Sequence, residues 1–165
     1  MPPGWSPAEH AQHPDVRVRR EAIRLMVEHS AWRERAIVLG LHDADDGVQR
    51  LALSAAAASC PRPAVAPMIR RLLEGTMNDE QAPLAIRALA ASGTREGFEL
   101  ALNSALERTL FGRRRLTPVS ADLLAAISSL AVHWPNEPLV ATVLTLARAH
   151  NDPRVRAAAV PESAS

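Results

Sequence analysis

The chain has 165 residues and a net charge of +1 from 19 basic and 18 acidic side chains. That is enough chain for one domain with a core of its own, and the charge balance leaves no global field to draw in nucleic acid or a membrane surface. Hydrophobic residues make up 47% but aromatics only 3%, so the apolar mass is Ala, Leu and Val, which suits thin helices in close contact, and no run approaches the ~20 residues of a membrane span.

In chain order, Met1-Pro2-Pro3-Gly4-Trp5 lacks the basic and apolar regions of a secretion signal, and residues 1–6 read as a tail. Ser6-Pro7-Ala8-Glu9 has the form of a capping box with Pro at the first helical position, and predicts a short helix that ends at Pro14. Over 15–29, Val18, Ala22, Leu25 and Met26 recur at three- and four-residue steps, the stripe of an amphipathic helix. Ser30 then caps a helix over 31–41 with Trp32, Ala36, Ile37 and Leu41 inward. Asp45 precedes the stripe Val48, Ala52, Ala56, which Cys60-Pro61-Arg62-Pro63 stops. Helices follow over 64–74, stopped by Gly75, and over 81–92, stopped by Gly93 with Pro83 in its first turn. The segment 94–109 is a further helix, Thr117-Pro118 opens one that runs to His133, Pro138 opens the next, and Asp152-Pro153 opens the last. No segment alternates with period two between turn signals, so no sheet is expected.

Five places share one spacing: an acidic or amide residue, an apolar residue three on, Ala four further, and a large apolar residue four beyond that. The central alanines are Ala22, Ala52, Ala85, Ala126 and Ala159, separated by 30, 33, 41 and 33 residues. The eight residues 110–117, Leu-Phe-Gly-Arg-Arg-Arg-Leu-Thr, account for the one long interval as an insertion loop. Recurrence at this period means stacked helical hairpins, with small Ala letting neighbouring helices approach. The expected architecture is all-α, a right-handed solenoid of about five hairpins over 7–160 whose first and last are incomplete, followed by a disordered tail, 161–165. Because the last helix, 154–160, is short and Ala-rich, either further repeats cover that end or two copies of the chain meet there.

The pattern resembles the HEAT-repeat family in its short bacterial variety. Asp15, Val18, Arg19, Ala22 and Met26 match that motif throughout, and Asp152, Val155, Arg156 and Ala159 match to the end of the chain. Asp45, Val48, Ala52 and Ala56 match with Gln49 replacing Arg; the third copy keeps Asn78, Ala85 and Leu89 with Gln81-Ala82 in place of Val-Arg; the fourth keeps Ala126 and Leu130, with Asp122 at the Val place. The resemblance implies that Asp15, Arg19, Asp45, Asp152 and Arg156 tie neighbouring repeats together. It also implies that the second helix of each hairpin lines a concave face. The family's members mostly act as scaffolds and adaptors for other proteins, so the resemblance implies no enzyme, no cofactor and no metal. A few relatives act on bilin chromophores or recognise damaged DNA bases, which leaves a bilin-lyase-like or nucleic-acid-binding protein as the alternatives.

Candidate partner-binding residues fall in two groups. Phe111, Arg113, Arg114 and Arg115, with Arg108 nearby, form the densest positive charge, an arm able to dock an acidic or phosphorylated surface through guanidinium forks, or else a solvated loop. Arg17, Arg20, Arg24, Arg50 and Arg87 fall on polar faces of second helices and could line a basic strip, but Glu21 and Glu28 dilute it and the helix after Pro118 has no Arg. Nucleic acid is therefore disfavoured. His42-Asp43-Ala44-Asp45-Asp46-Gly47 is not a calcium loop, since Gly47 stands where an oxygen ligand is needed. His29, His42, His133 and His150 lie near helix ends without the partners of a catalytic set. Every basic residue is Arg, as a GC-rich coding sequence gives, or as selection for planar guanidinium contacts gives. The lone Cys60 excludes an internal disulfide, fits a reducing, cytoplasmic compartment and reads as an inert thiol.

Overall fold

The computed structural model describes residues 6–109 and 112–160. Trp5, Leu110, Phe111 and the 161–165 tail lie outside them. The described chain is helical apart from one small hairpin: α1 (Pro7–His10), α2 (Val16–Glu28), α3 (Ser30–Leu41), α4 (Asp46–Ala58), α5 (Arg62–Leu73), α6 (Gln81–Ala91), α7 (Arg95–Ala105), β1 (Leu106–Arg108), β2 (Arg114–Leu116), α8 (Ala121–His133), α9 (Pro138–Arg148) and α10 (Pro153–Ala158).

Side-chain caps set where several of these helices start. Asp15, Asp45, Thr94, Ser120 and Asp152 each sit in extended backbone and accept a backbone N–H two or three residues on, satisfying a donor that the first turn leaves open. Some expected starts and caps differ. Ser30 is already helical, with His29 before it, and the Ser6 hydroxyl makes no cap bond. The helix before His133 begins at Ala121, not at Thr117, because the Ser120 oxygen takes the Leu123 N–H.

The even-numbered helices touch in series, α2 on α4, α4 on α6, α6 on α8 and α8 on α10, while α3, α5, α7 and α9 contact one another in the same order beside them. The five spaced alanines are all buried: Ala22 is 2% exposed and Ala52, Ala85, Ala126 and Ala159 are fully buried. Three apolar clusters continue along the row. Ile23, Met26, Ala36 and Val48 form the first; Ile37, Leu53, Met68 and Leu89 belong to the second; Phe98, Leu123, Ile127 and Val143 belong to the third. No helix of the described residues is long and apolar enough to cross a membrane.

Helices also approach closely at Gly40, where a Cβ would lie 2.7 Å from the buried Ala52 Cβ. Ala is otherwise the better helix former, yet Gly40→Ala is expected to destabilise the fold by about 1–3 kcal/mol through overpacking of α3 on α4. Chemical denaturation of the two proteins checks it; a more stable variant would show that the two helices separate freely.

One expectation is overturned. The chain does contain strands: β1 and β2 pair antiparallel, with Leu106 opposite Leu116, Glu107 opposite Arg115 and Arg108 opposite Arg114. The insertion is thus a β-hairpin that begins at Leu106, and α7 stops at Ala105 instead of running to Thr109. At the tip, the Thr109 N–H donates to the Arg113 carbonyl and the Gly112 N–H to the Thr109 carbonyl; Gly112, at φ +74°, takes the left-handed backbone such a reversal needs. Leu106 and Leu116 pack on the third cluster, and Thr117 ties the base to Ala105 and Ser104.

Candidate functional site

The sequence-selected acids and arginines divide into local caps, one inter-hairpin ladder and an open face. Asp15 is a local cap: its carboxylate accepts the Arg17 N–H at 2.8 Å and the Arg17 guanidinium at 2.8 and 3.3 Å. Those bonds hold its pKa down at about 2. Asp152 does the same with Arg154, with its pKa again held down to about 2. Among the described residues neither carboxylate reaches a neighbouring hairpin.

Arg19 does reach one. Its Nε and Nη2 donate to Asp43 in the α3–α4 turn at 2.8 and 2.9 Å, and its Nη1 to the carbonyls of His13 and Pro14. The Arg19 bond also holds the Asp43 carboxyl below its ordinary range. The ladder then continues through amides. Gln49 donates to the Asp43 carbonyl and its own carbonyl accepts from Arg71 and Gln81, while Gln81, almost fully buried, also donates to Asp46. Arg71, on α5, was not singled out by the motif because it lies outside the second helices; it fills the role that Arg fills in the first copy, bonding Leu41 O, Gln49 and Gln81. Among the described residues the ladder has no such bond at Asp122, the next rung, whose carboxyl burial and the nearby Asp79 charge push up.

The basic strip is mostly neutralised. Arg17 pairs with Asp15, Arg20 with Asp45, Arg24 with both Glu21 and Glu28 at 2.6 Å, and Arg50 with Glu80. Asp43 and Asp45, two of the three acids of the rejected metal loop, are held by guanidinium groups. Of the five strip arginines only Arg87 has no hydrogen-bond or ion-pair partner among the described residues.

Arg87 stands on an open groove of about 500 Å³ running across α4, α6, α8 and α10. Ser128, Ser129, His133 and Arg154 line it with polar groups and Val132 gives it an apolar edge that is 52% exposed. Partial burial lowers the His133 pKa below the usual histidine value, which favours the neutral ring. The groove therefore offers fixed positive charge from arginine, hydroxyls and exposed aliphatic surface, a lining suited to holding a chain segment.

On the β-hairpin, Arg115 pairs with Glu107 across the strands at 2.7 Å, while Arg113 and Arg114 are exposed without a side-chain partner among the described residues. The described arm residues and the groove are separate surfaces: none of those residues lines the groove. Cys60 is half-buried, and burial pushes its thiol up to about 11, so it is not a thiolate at neutral pH.

The site and fold define an all-helical protein whose second helices present a mixed cationic and apolar groove. No protein-family model matches the chain, and no curated protein matches its sequence.

Proposed function

We propose that this chain is a non-catalytic binding scaffold, a right-handed superhelix of HEAT-like hairpins that holds an acidic segment of a partner protein in the α4–α6–α8–α10 groove. The observation that carries this reading is Arg87: on a face where Arg20, Arg24, Arg50 and Arg154 are each satisfied by a carboxylate, its guanidinium is open and borders exposed valine and two serines. A guanidinium fork beside aliphatic surface suits a carboxylate-bearing peptide. The same pairing speaks against a nucleic acid groove, which needs several unneutralised cations to reach useful affinity.

The test is a pull-down with the immobilised wild type beside Arg87→Glu and beside a triple Ala variant of Arg113, Arg114 and Arg115. Loss of the recovered partners with Arg87→Glu and their retention with the triple variant supports the groove. Identical recovery by all three overturns it, and binding of a DNA oligonucleotide that weakens steeply with salt would replace it with the nucleic acid reading.

A further inference from the structure

The turn opening α10 repeats the turn opening α2 bond for bond. The Asp15 N–H donates to His13 Nδ1 at 3.0 Å, and the Asp152 N–H to His150 Nδ1 at 3.0 Å. The N–H of Arg17 and that of Arg154 each reach their Asp at 2.8 Å, and both guanidinium groups close on the same carboxylate. Arg19 Nη1 donates to the carbonyls of His13 and Pro14; Arg156 Nη1 donates to those of His150 and Asn151, both at 2.8 Å.

The two differ on the other edge of the guanidinium. Arg19 Nε and Nη2 close on Asp43 of the hairpin stacked against α2. Arg156 Nε and Nη2 have no acceptor among the described residues, and the side chain is exposed. Its orientation is nevertheless fixed, because two backbone carbonyls hold Nη1. A preoriented fork binds a carboxylate with less ordering than a free arginine does. Two further exposed arginines, Arg148 and Arg154, lie within eight residues of it in the sequence, and Asp152 is already engaged by Arg154.

We propose that the Nε/Nη2 edge of Arg156 docks the carboxylate of an aspartate in the turn of a helical hairpin of a partner protein, seated on the α9–α10 end as α3–α4 is seated on α1–α2. A second copy of this chain is the wrong occupant. Its leading hairpin carries His13 where α3–α4 carries Asp43: both accept the N–H of the aspartate two residues on, but only Asp43 has a carboxylate left for a guanidinium. This docking point is independent of the Arg87 groove.

The same comparison supplies the probe. His13→Asp puts a carboxylate in the α1–α2 turn of the intact chain, and Asp43 shows that an aspartate there still accepts the backbone N–H. Sedimentation at low salt is expected to find the wild type monomeric and the His13→Asp protein self-associating at least about tenfold more tightly. Adding Arg156→Ala, or high salt, should remove the gain, and adding Arg87→Glu should leave it. Circular dichroism of each variant confirms that it is folded, and Arg156→Gln serves if the alanine variant is not. A folded His13→Asp protein as monomeric as wild type overturns the proposal, as does association that survives loss of Arg156. Wild-type self-association that depends on Arg156 overturns the choice of occupant.

Discussion

Phe98→Ala is expected to lower the unfolding free energy by about 4 kcal/mol, within the range for emptying a buried aromatic site. Phe98 is fully buried on α7 and shares its cluster with Leu123, Ile127, Val140 and Val143 of α8 and α9. Its ring centroid is 4.8 Å from that of Trp134, and the Arg95 guanidinium covers it at 4.8 Å. Trp134 in turn donates its indole N–H to the Ala90 carbonyl at 2.7 Å, so one aromatic pair joins the ends of α6 and α8 to the start of α7. Removing the ring opens a cavity there and frees the Trp134 ring to turn, which weakens a buried hydrogen bond as well. Phe98→Leu keeps much of the volume and should lose less than half as much. Urea denaturation followed by tryptophan fluorescence measures both; a loss below about 1 kcal/mol for the alanine variant would mean that the surrounding helices collapse into the space.

The fold was legible where local chemistry and burial agree. Asp15, Asp45 and Asp152 are caps that also start an apolar stripe, so the sequence spacing marks both the helix start and its buried alanine. The β-hairpin was not legible because Leu102, Ala105 and Leu106 continue a helical spacing through good helix formers. Nothing local opposes more helix there; the strand is favoured by pairing with residues six to ten positions away and by Leu116 reaching the third cluster. The candidate site divides the same way. Periodicity put Arg20, Arg24, Arg50 and Arg87 on polar faces but could not tell that Glu80 answers Arg50 from thirty residues away while Arg87 is left open. One signal was present in the sequence and lay outside the apolar pattern: His13, Asp15, Arg17 and Arg19 recur in type and spacing as His150, Asp152, Arg154 and Arg156. Those side chains bond backbone and one another, which a search for buried stripes passes over.

Arg19→Ala is expected to destabilise the protein by about 3 kcal/mol at pH 7, because it strands a carboxylate that the fold keeps out of water. The Arg19 and Asp43 side chains are only 18% and 8% exposed, so the pair is far from a surface ion pair, whose removal typically changes stability by less than about 1 kcal/mol. Arg19→Lys should recover only part of the loss, since an ammonium cannot span both carboxylate oxygens and also reach the carbonyls of His13 and Pro14. The pH dependence has a fixed sign. Arg19 lowers the Asp43 pKa in the folded chain below the ordinary value of 3.8, so the pair's contribution is complete above that value and disappears as pH falls through the folded pKa. The difference between wild type and Arg19→Ala should therefore shrink in acid, and a double-mutant cycle with Asp43→Asn should return most of the loss as coupling between the two. Arg156→Ala supplies the internal control: it removes the same side chain from the same turn, with the same two carbonyl bonds, but with no carboxylate among the described residues. Its effect on stability should stay within about 0.5 kcal/mol, so that the gap between the two alanine variants measures what Asp43 adds. Equal effects from both would assign the stabilisation to the carbonyl bonds of the turn and remove Asp43 from the account.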